Sequence, residues 1–566
     1  MAGDDQPQRD EGLVGGAQPD GLQRTIEGRG GRLGRAVGEH RLQSRRLGNR
    51  ITEKIAVDDF EAHLMRFATA ALCCFIATFA PAHADDSRAK LDALLARVRA
   101  AAGAPYRLHL RGTASAEGAG RATLVSESEG LRSSVRRCNG LLCSGSYADG
   151  AALWLTDLNG TAVPAEPDDP RRVTLRAIEN IAFTADDFES QGGRLTLRVP
   201  LRMHDGRTLQ RIAVSAAHGA TLDALIDPET GLVAEARGAG VAVVFSDHRK
   251  VGEVTVPFEI ATGSNVERFT ERSVDPEPLR VPPGLVPSFS VGSKAIAFVD
   301  SERPTVEPVV ECEIGKQRVP CLFDTGNSGM SMSLELAERL GLEPLADSFR
   351  VEGLGSYETG VVKAPELRVG GATYPPAFYA VLHDLHGYGY DLVLGTDAFA
   401  HARVTIDYPQ RLLALEPESV ASAKAAEASG LPLSFENFLP VTPVALGTAN
   451  ARLAIDTGDE SAVDLSAEYY RLHPGLFKPE TRARVAGIGG TSEELLGTIE
   501  RVELGAYALL HQPIGATEQA ASTAEGRLGS GALAHFAVTF DYARCRVELR
   551  PRRGDAAVVS SSAAKP

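Results

Sequence analysis

Two short stretches, Leu322-Phe323-Asp324-Thr325-Gly326 and Ala454-Ile455-Asp456-Thr457-Gly458, constrain this chain more than any other feature. Each is a small apolar strand that runs straight into Asp-Thr-Gly. A single copy marks only a strand leaving into a turn, where Gly frees the backbone and Asp supplies a local hydrogen bond. Two copies in the same setting imply a duplicated unit whose aspartates meet. Two carboxylates that share one proton can turn water into a nucleophile.

The flanks repeat as well. Residues 309–314 alternate apolar and polar, turn at Gly315-Lys316 and return as 319–323, which predicts a hairpin with one buried face. Residues 443–446 and 451–455 predict a second hairpin around a turn at 447–450. After each aspartate, Ser333 with Glu335 and Ser466 with Glu468 open short helical patterns, with Ser as N-cap and Glu in the first turn. Gly-rich stretches follow, containing Gly353, Gly355 and Tyr357 in one copy and Gly487, Gly489 and Gly490 in the other. Each copy closes on an apolar-Gly step (Leu394-Gly395, Leu528-Gly529) and a strand ending in Asp407 or Asp541. The intervals hold nearly constant: 132 from Asp324 to Asp456, 134 from Gly395 to Gly529 and 134 from Asp407 to Asp541. That register makes an internal repeat.

Apolar-apolar-Asp-Thr-Gly, a later apolar-apolar-Gly and a lobe-ending strand resemble the retropepsin and pepsin type of aspartic peptidase, in particular bacterial retropepsin-like aspartyl proteases with two lobes in one chain. The resemblance covers roughly residues 295–550. It implies a mainly β chain: a two-lobed, pseudo-symmetric β-barrel fold with lobes at 295–420 and 430–552. It makes Asp324 and Asp456 the catalytic dyad of an aspartic endopeptidase, with Thr325 and Thr457 locking the loops and Gly326 and Gly458 approaching the carboxylates. Ser328 would brace the outer oxygen of Asp324. Gly353, Gly355, Tyr357, Gly487, Gly489 and Gly490 would form the substrate flaps. The implied substrate is a peptide or protein, no cofactor or metal is required, and one chain suffices to assemble the site.

Two departures stand out. The second motif continues Asp459-Glu460-Ser461, and either carboxylate would raise the dyad's apparent pKa if it faced inward. Arg527 replaces an apolar residue before Leu528-Gly529. An inactive peptide- or lipid-binding protein on the same fold is therefore the alternative reading. His383-Asp-Leu-His386 offers no third metal ligand and reads as a solvated turn, and no Gly-x-Ser-x-Gly elbow is present.

Upstream, residues 85–290 read as an antiparallel β domain with one helix. Leu91, Leu94, Leu95 and Val98 recur at helical spacing. Short alternating runs then begin at 106, 122, 194, 212 and 241, with turns at 157–160 and 227–231. Phe245-Ser-Asp-His-Arg followed by Val256-Pro-Phe258 resembles the lipoprotein-carrier type of periplasmic β domain. Residues 274–287 carry five prolines and read as a stiff linker.

Composition sets the remaining limits. A length of 566 residues allows two to four domains. A net charge of −15 without a basic surface argues against nucleic acid as a partner. Met65-Arg66, an apolar run over 67–79 and a small-residue end at Ala82-His83-Ala84 describe a signal peptide at 65–84, and so a periplasmic or secreted protein without a stable membrane anchor. Residues 1–64 are either a start-site artefact or a disordered leader, and 553–566 read as a disordered tail. Cys138 with Cys143, and Cys312 with Cys321, are spaced to pair in an oxidising compartment, the second pair diagonally across its hairpin; Cys545 is left over.

Overall fold

The computed structural model describes residues 82–103, 109–116, 123–149, 152–165, 170–217, 220–275, 277–280, 284–290, 295–300, 305–383, 385–418, 430–517 and 524–560. The expected leader and nearly all of the expected signal lie outside them. The described chain is mainly β.

Residues up to 275 form one thirteen-stranded antiparallel sheet. Two meanders join where His109–Ala116 pairs with Asn265–Asp275. The expected single helix is present as Ala82–Ala102, but it is accompanied by Pro170–Glu179 and Ile181–Ser190. The single-helix expectation is thus corrected to three helices among the described residues. Leu91, Leu94, Leu95 and Val98 of the first helix and Ile178, Ile181, Ala185 and Phe188 of the other two bury against Ile212, Val214, Ala224 and Ile226 of the sheet. The hydrophobic effect therefore covers one face of this sheet with all three helices.

The segment after this sheet is docked on both sides. Arg132 Nη2 donates to the Leu279 carbonyl at 2.7 Å, and the Leu279 N–H donates to Glu129 Oε2 at 3.2 Å. Leu285 joins the large core of the later residues.

From residue 288 onward the chain builds two halves with matching order, carried by a ten-stranded and a nine-stranded sheet. A six-stranded sheet drawn from both halves joins them, centred on Ala402–Asp407 against Phe536–Asp541. Thr405 pairs with Thr539, their hydroxyls 2.9 Å apart, on the pseudo-twofold. Both helical N-caps form as expected: Ser333 Oγ accepts from the Leu336 N–H and Ser466 Oγ from the Tyr469 N–H. One core runs through both halves, with Phe323, Phe399, Phe435, Phe536 and Phe540 at its centre.

Both cysteine pairs are disulfides, Cys138–Cys143 on directly paired positions and Cys312–Cys321 diagonally across the hairpin. The tail departs from expectation: Val558–Ser560 adds a strand to Tyr507–Thr517, because Val558 and Val559 meet the backbone of Leu509 and Ala508. Residues 561–566 lie outside the described residues.

Candidate active site

The two Asp-Thr-Gly loops meet on the pseudo-twofold. The Thr325 N–H donates to Thr457 Oγ1 at 3.0 Å, and the Thr457 N–H donates to Thr325 Oγ1 at 3.1 Å. Each hydroxyl donates onward, Thr325 to the Ile455 carbonyl at 2.6 Å and Thr457 to the Phe323 carbonyl at 2.7 Å. Both side chains are fully buried, so this exchange satisfies groups that have no water to turn to.

The carboxyls of Asp324 and Asp456 come together above this grip, close enough to share one backbone donor. The Gly326 N–H donates to Asp324 Oδ1 at 2.7 Å. The Gly458 N–H is shared between Asp456 Oδ1 at 3.1 Å and Asp324 Oδ1 at 3.2 Å. A Cβ on Gly326 would overlap the Asp456 carboxylate, and one on Gly458 would lie 2.6 Å from Asp324 Cγ, so close approach requires glycine at both places. Burial first, and then the negative charge of Asp456, push the Asp324 carboxyl well above its ordinary range. Two carboxyls this close cannot both ionise, and the pair holds a proton.

Beneath each loop a strand crosses and turns at glycine. The Gly395 N–H donates to the Gly329 carbonyl at 2.8 Å, and the Thr396 N–H to the Asn327 carbonyl at 3.0 Å. In the second half the Gly529 N–H donates to the Ala462 carbonyl at 3.1 Å and the Ser530 N–H to the Asp459 carbonyl at 2.7 Å. Ser328 does not take the bracing position expected of it. It is exposed and makes no hydrogen bond to Asp324 among the described residues, while the neighbouring Asn327 amide ties the loop to the Gly329 carbonyl at 3.0 Å.

The two Gly-rich stretches meet each other. Gly353-Leu354-Gly355 is the turn between Ala346–Glu352 and Ser356–Ala364, and Ile488-Gly489 is the turn between Lys478–Gly487 and Gly490–Leu504. The Gly355 N–H donates to the Ile488 carbonyl at 3.4 Å. Ile488 packs on a cluster of the first half that includes Leu322, Tyr390 and Val393. Gly489 has φ +83°, and a Cβ there would lie 2.7 Å from the Gly355 carbonyl. Tyr357 lies on the strand after the first of these turns, its ring 5.8 Å from that of His383.

Of the two extra carboxylates in the second motif, Glu460 is exposed while Asp459 turns inward. Burial and then the Asp456 charge raise the Asp459 carboxyl. Arg527 lies among these groups, its Nε 3.5 Å from Asp456 Oδ2. Asp464 is its register partner on the neighbouring strand. Asp464 is pushed up to about 8 by burial and then by Glu494. The sequence flagged Arg527 as a departure; only strand pairing brings Asp464 and Glu494 to it.

A second carboxyl pair was not foreseen. The turn at 157–161, read as a plain loop, docks beside the crossing strand of the first half. Thr161 Oγ1 and Asn159 Nδ2 donate to Asp397, the latter at 2.7 Å, and Asn159 also exchanges hydrogen bonds with the backbone of Phe378. Asp157 Oδ1 accepts from the Asn159 and Thr161 N–H groups while its Oδ2 is buried without a partner among the described residues, and burial followed by the Asp397 charge holds the carboxyl well above its ordinary range. Asp397 is fully buried.

Residues 310–398 match a family model described as aspartyl protease. The match begins in the first hairpin and ends just past Gly395, so it takes in Asp324 and the first Gly-rich turn but not Asp456. The similarity supports a peptidase in general for this part of the chain and implies peptide substrates. No curated protein matches the chain.

Proposed function

We propose that this protein is an exported aspartic endopeptidase, a two-lobed single chain that hydrolyses peptide bonds with water activated between Asp324 and Asp456. One observation carries the reading. The reciprocal Thr325–Thr457 hydrogen bonds hold two carboxyls close enough to share one backbone donor. The aspartyl protease match to the first half supports it, and the pseudo-symmetric second half supplies the other carboxyl.

The chemistry follows from the shared proton. The charged carboxylate takes a proton from a water lying between the pair, and the protonated carboxyl donates to the oxygen of the scissile carbonyl. Water oxygen bonds to the carbonyl carbon and gives a neutral gem-diol. Breaking the C–N bond then returns a proton to the leaving amine and leaves a carboxylic acid. The closed flaps exclude bulk water from this step. Export is part of the proposal: the signal-like segment at 65–84 motivates it, and two disulfides fit an oxidising compartment.

The test is cleavage of a diverse peptide mixture from acid to neutral pH, read by mass spectrometry. Wild type is expected to cut within peptides, and Asp324→Asn and Asp456→Asn to fold and not cut. Absence of cleavage by wild type at every pH overturns the reading. Mass spectrometry of the mature N-terminus tests export, and a chain still starting at Met1 or Ala2 overturns that part.

A further inference from the structure

The two halves place different chemistry at equivalent positions around the dyad. Val393 pairs with Leu322 and Ser331 in the first half; Arg527 pairs with Ala454 and Asp464 in the second. Ser331 next pairs with Ala380, and Asp464 with Gly515. Val361 lies opposite Ala380 and Leu496 opposite Gly515. Two residues before them stand Thr359 and Glu494. The row Val393, Ser331, Thr359 therefore carries no ionisable group, and the matching row Arg527, Asp464, Glu494 is ionisable throughout.

This row is assembled rather than incidental. Gly515 leaves the space that Glu494 fills, since a Cβ at Gly515 would collide with the Glu494 carboxylate. Burial and the Asp459 charge raise the Glu494 carboxyl, Asp464 pairs in register with Arg527, and Arg527 reaches Asp456. The charged groups around Arg527 are Asp456 from the motif strand, Asp459 from the loop after it, Asp464 from the next strand and Asp324 from the opposite half. Glu307 and the hydroxyls of Tyr390, Tyr408 and Tyr542 complete the charged and titratable surroundings of the dyad. No cation near the dyad is given to the Asp324 side by the neutral row. A guanidinium stays charged across any working pH and favours the anion nearest to it.

We infer that Arg527 is the positioning residue of the dyad: it fixes the negative charge on Asp456, leaves the shared proton on Asp324, and so makes Asp456 the base and Asp324 the acid. Asp464, its register partner, and Glu494 beyond it continue the row away from the dyad. The inference rests on the reading of Asp324 and Asp456 as the catalytic pair. It predicts a direction. Without the guanidinium the monoanionic dyad forms only at higher pH, so both limbs of the pH profile move up.

The experiment compares wild type, Arg527→Val (the residue of the other half), Arg527→Gln and Arg527→Lys. Two readouts run in parallel: the pH profile of kcat/KM on a cleaved peptide, and the titration of ¹³C-labelled aspartate carboxyls, assigned with Asp324→Asn and Asp456→Asn. Arg527→Val and Arg527→Gln are expected to move the acidic limb up by about one pH unit, roughly a tenfold loss on that limb, with Arg527→Lys close to wild type. If Arg527→Val fails to fold, Arg527→Gln against Arg527→Lys decides the matter. An unmoved limb and unmoved carboxyl titration, with only KM changed, overturn the inference and make Arg527 a substrate-contacting residue. If wild type cuts no peptide but the carboxyl titration still moves in Arg527→Gln, the endopeptidase reading fails and the role of Arg527 stands.

Discussion

Thr325 and Thr457 each donate a backbone N–H to the other's hydroxyl, so neither loop can move without breaking a buried hydrogen bond in its partner. The grip sits directly below the carboxyls and sets their separation.

Replacing Thr325 or Thr457 by Ala strands a buried N–H and a buried carbonyl. Each substitution should cost about 1–3 kcal/mol, since an unsatisfied buried group bears its full desolvation penalty. Thermal melts should show the loss, and peptide cleavage should fall further than stability does. Thr325→Ser keeps both hydrogen bonds and is expected to stay close to wild type.

The flap tips yield to a single methyl. Gly489→Ala places a Cβ against the Gly355 backbone at a positive φ, costing roughly 1–2 kcal/mol in backbone conformation alone. Amide hydrogen exchange at 353–355 and 487–490 is expected to accelerate while exchange at Thr325 and Thr457 is unchanged. Equal protection at the tips in mutant and wild type would refute the closed contact.

Asp464 makes stability depend on pH. Its folded value near 8 lies above the unfolded value of about 3.9, so the folded protein holds more protons between them. The contribution is complete below the unfolded value and is lost as pH rises towards 8. Melting temperature should therefore decline from mildly acidic to mildly alkaline pH. Asp464→Asn removes the titration and should flatten that decline.

Asp397→Ala deprives Thr161 and Asn159 of their shared acceptor. Breaking this buried set should cost roughly 3–5 kcal/mol. The single tryptophan, Trp154, lies on the strand that leads into the docked turn, so its fluorescence in a denaturant titration reads the loss directly. Asp157, held protonated, adds a contribution that is full in acid and lost as pH rises through its raised value. Asp157→Asn should keep the docking and remove that dependence.

The sequence made some of this legible and hid the rest for physical reasons. The doubled motif, its hairpins and its capped helices are local patterns in fixed register, and local patterns survive in one dimension. The helices at 170–190 carried readable signals, Pro170 at the first position and Ala177, Ile178, Ile181, Ala185 and Phe188 on one side, but they lie inside a long run of strands. The strand at 558–560 and the row from Arg527 to Glu494 depend on pairings between distant segments. Ser328 followed family habit, and here its neighbour Asn327 ties the loop. The partnership of Asp157 with Asp397 spans 240 residues, and neither residue's neighbours announce it.

The docked turn has a consequence for how such a chain changes over time. Asp157, Asn159 and Thr161 meet Asp397 behind the loop that carries Asp324, and Leu285 seals the same face. Recombination at the proline-rich stretch near 280 would separate a buried carboxylate from its donors. An exchange that carries both sides of the contact keeps those donors and their acceptor together, so the thirteen-stranded sheet and the doubled motif exchange most cheaply as one block.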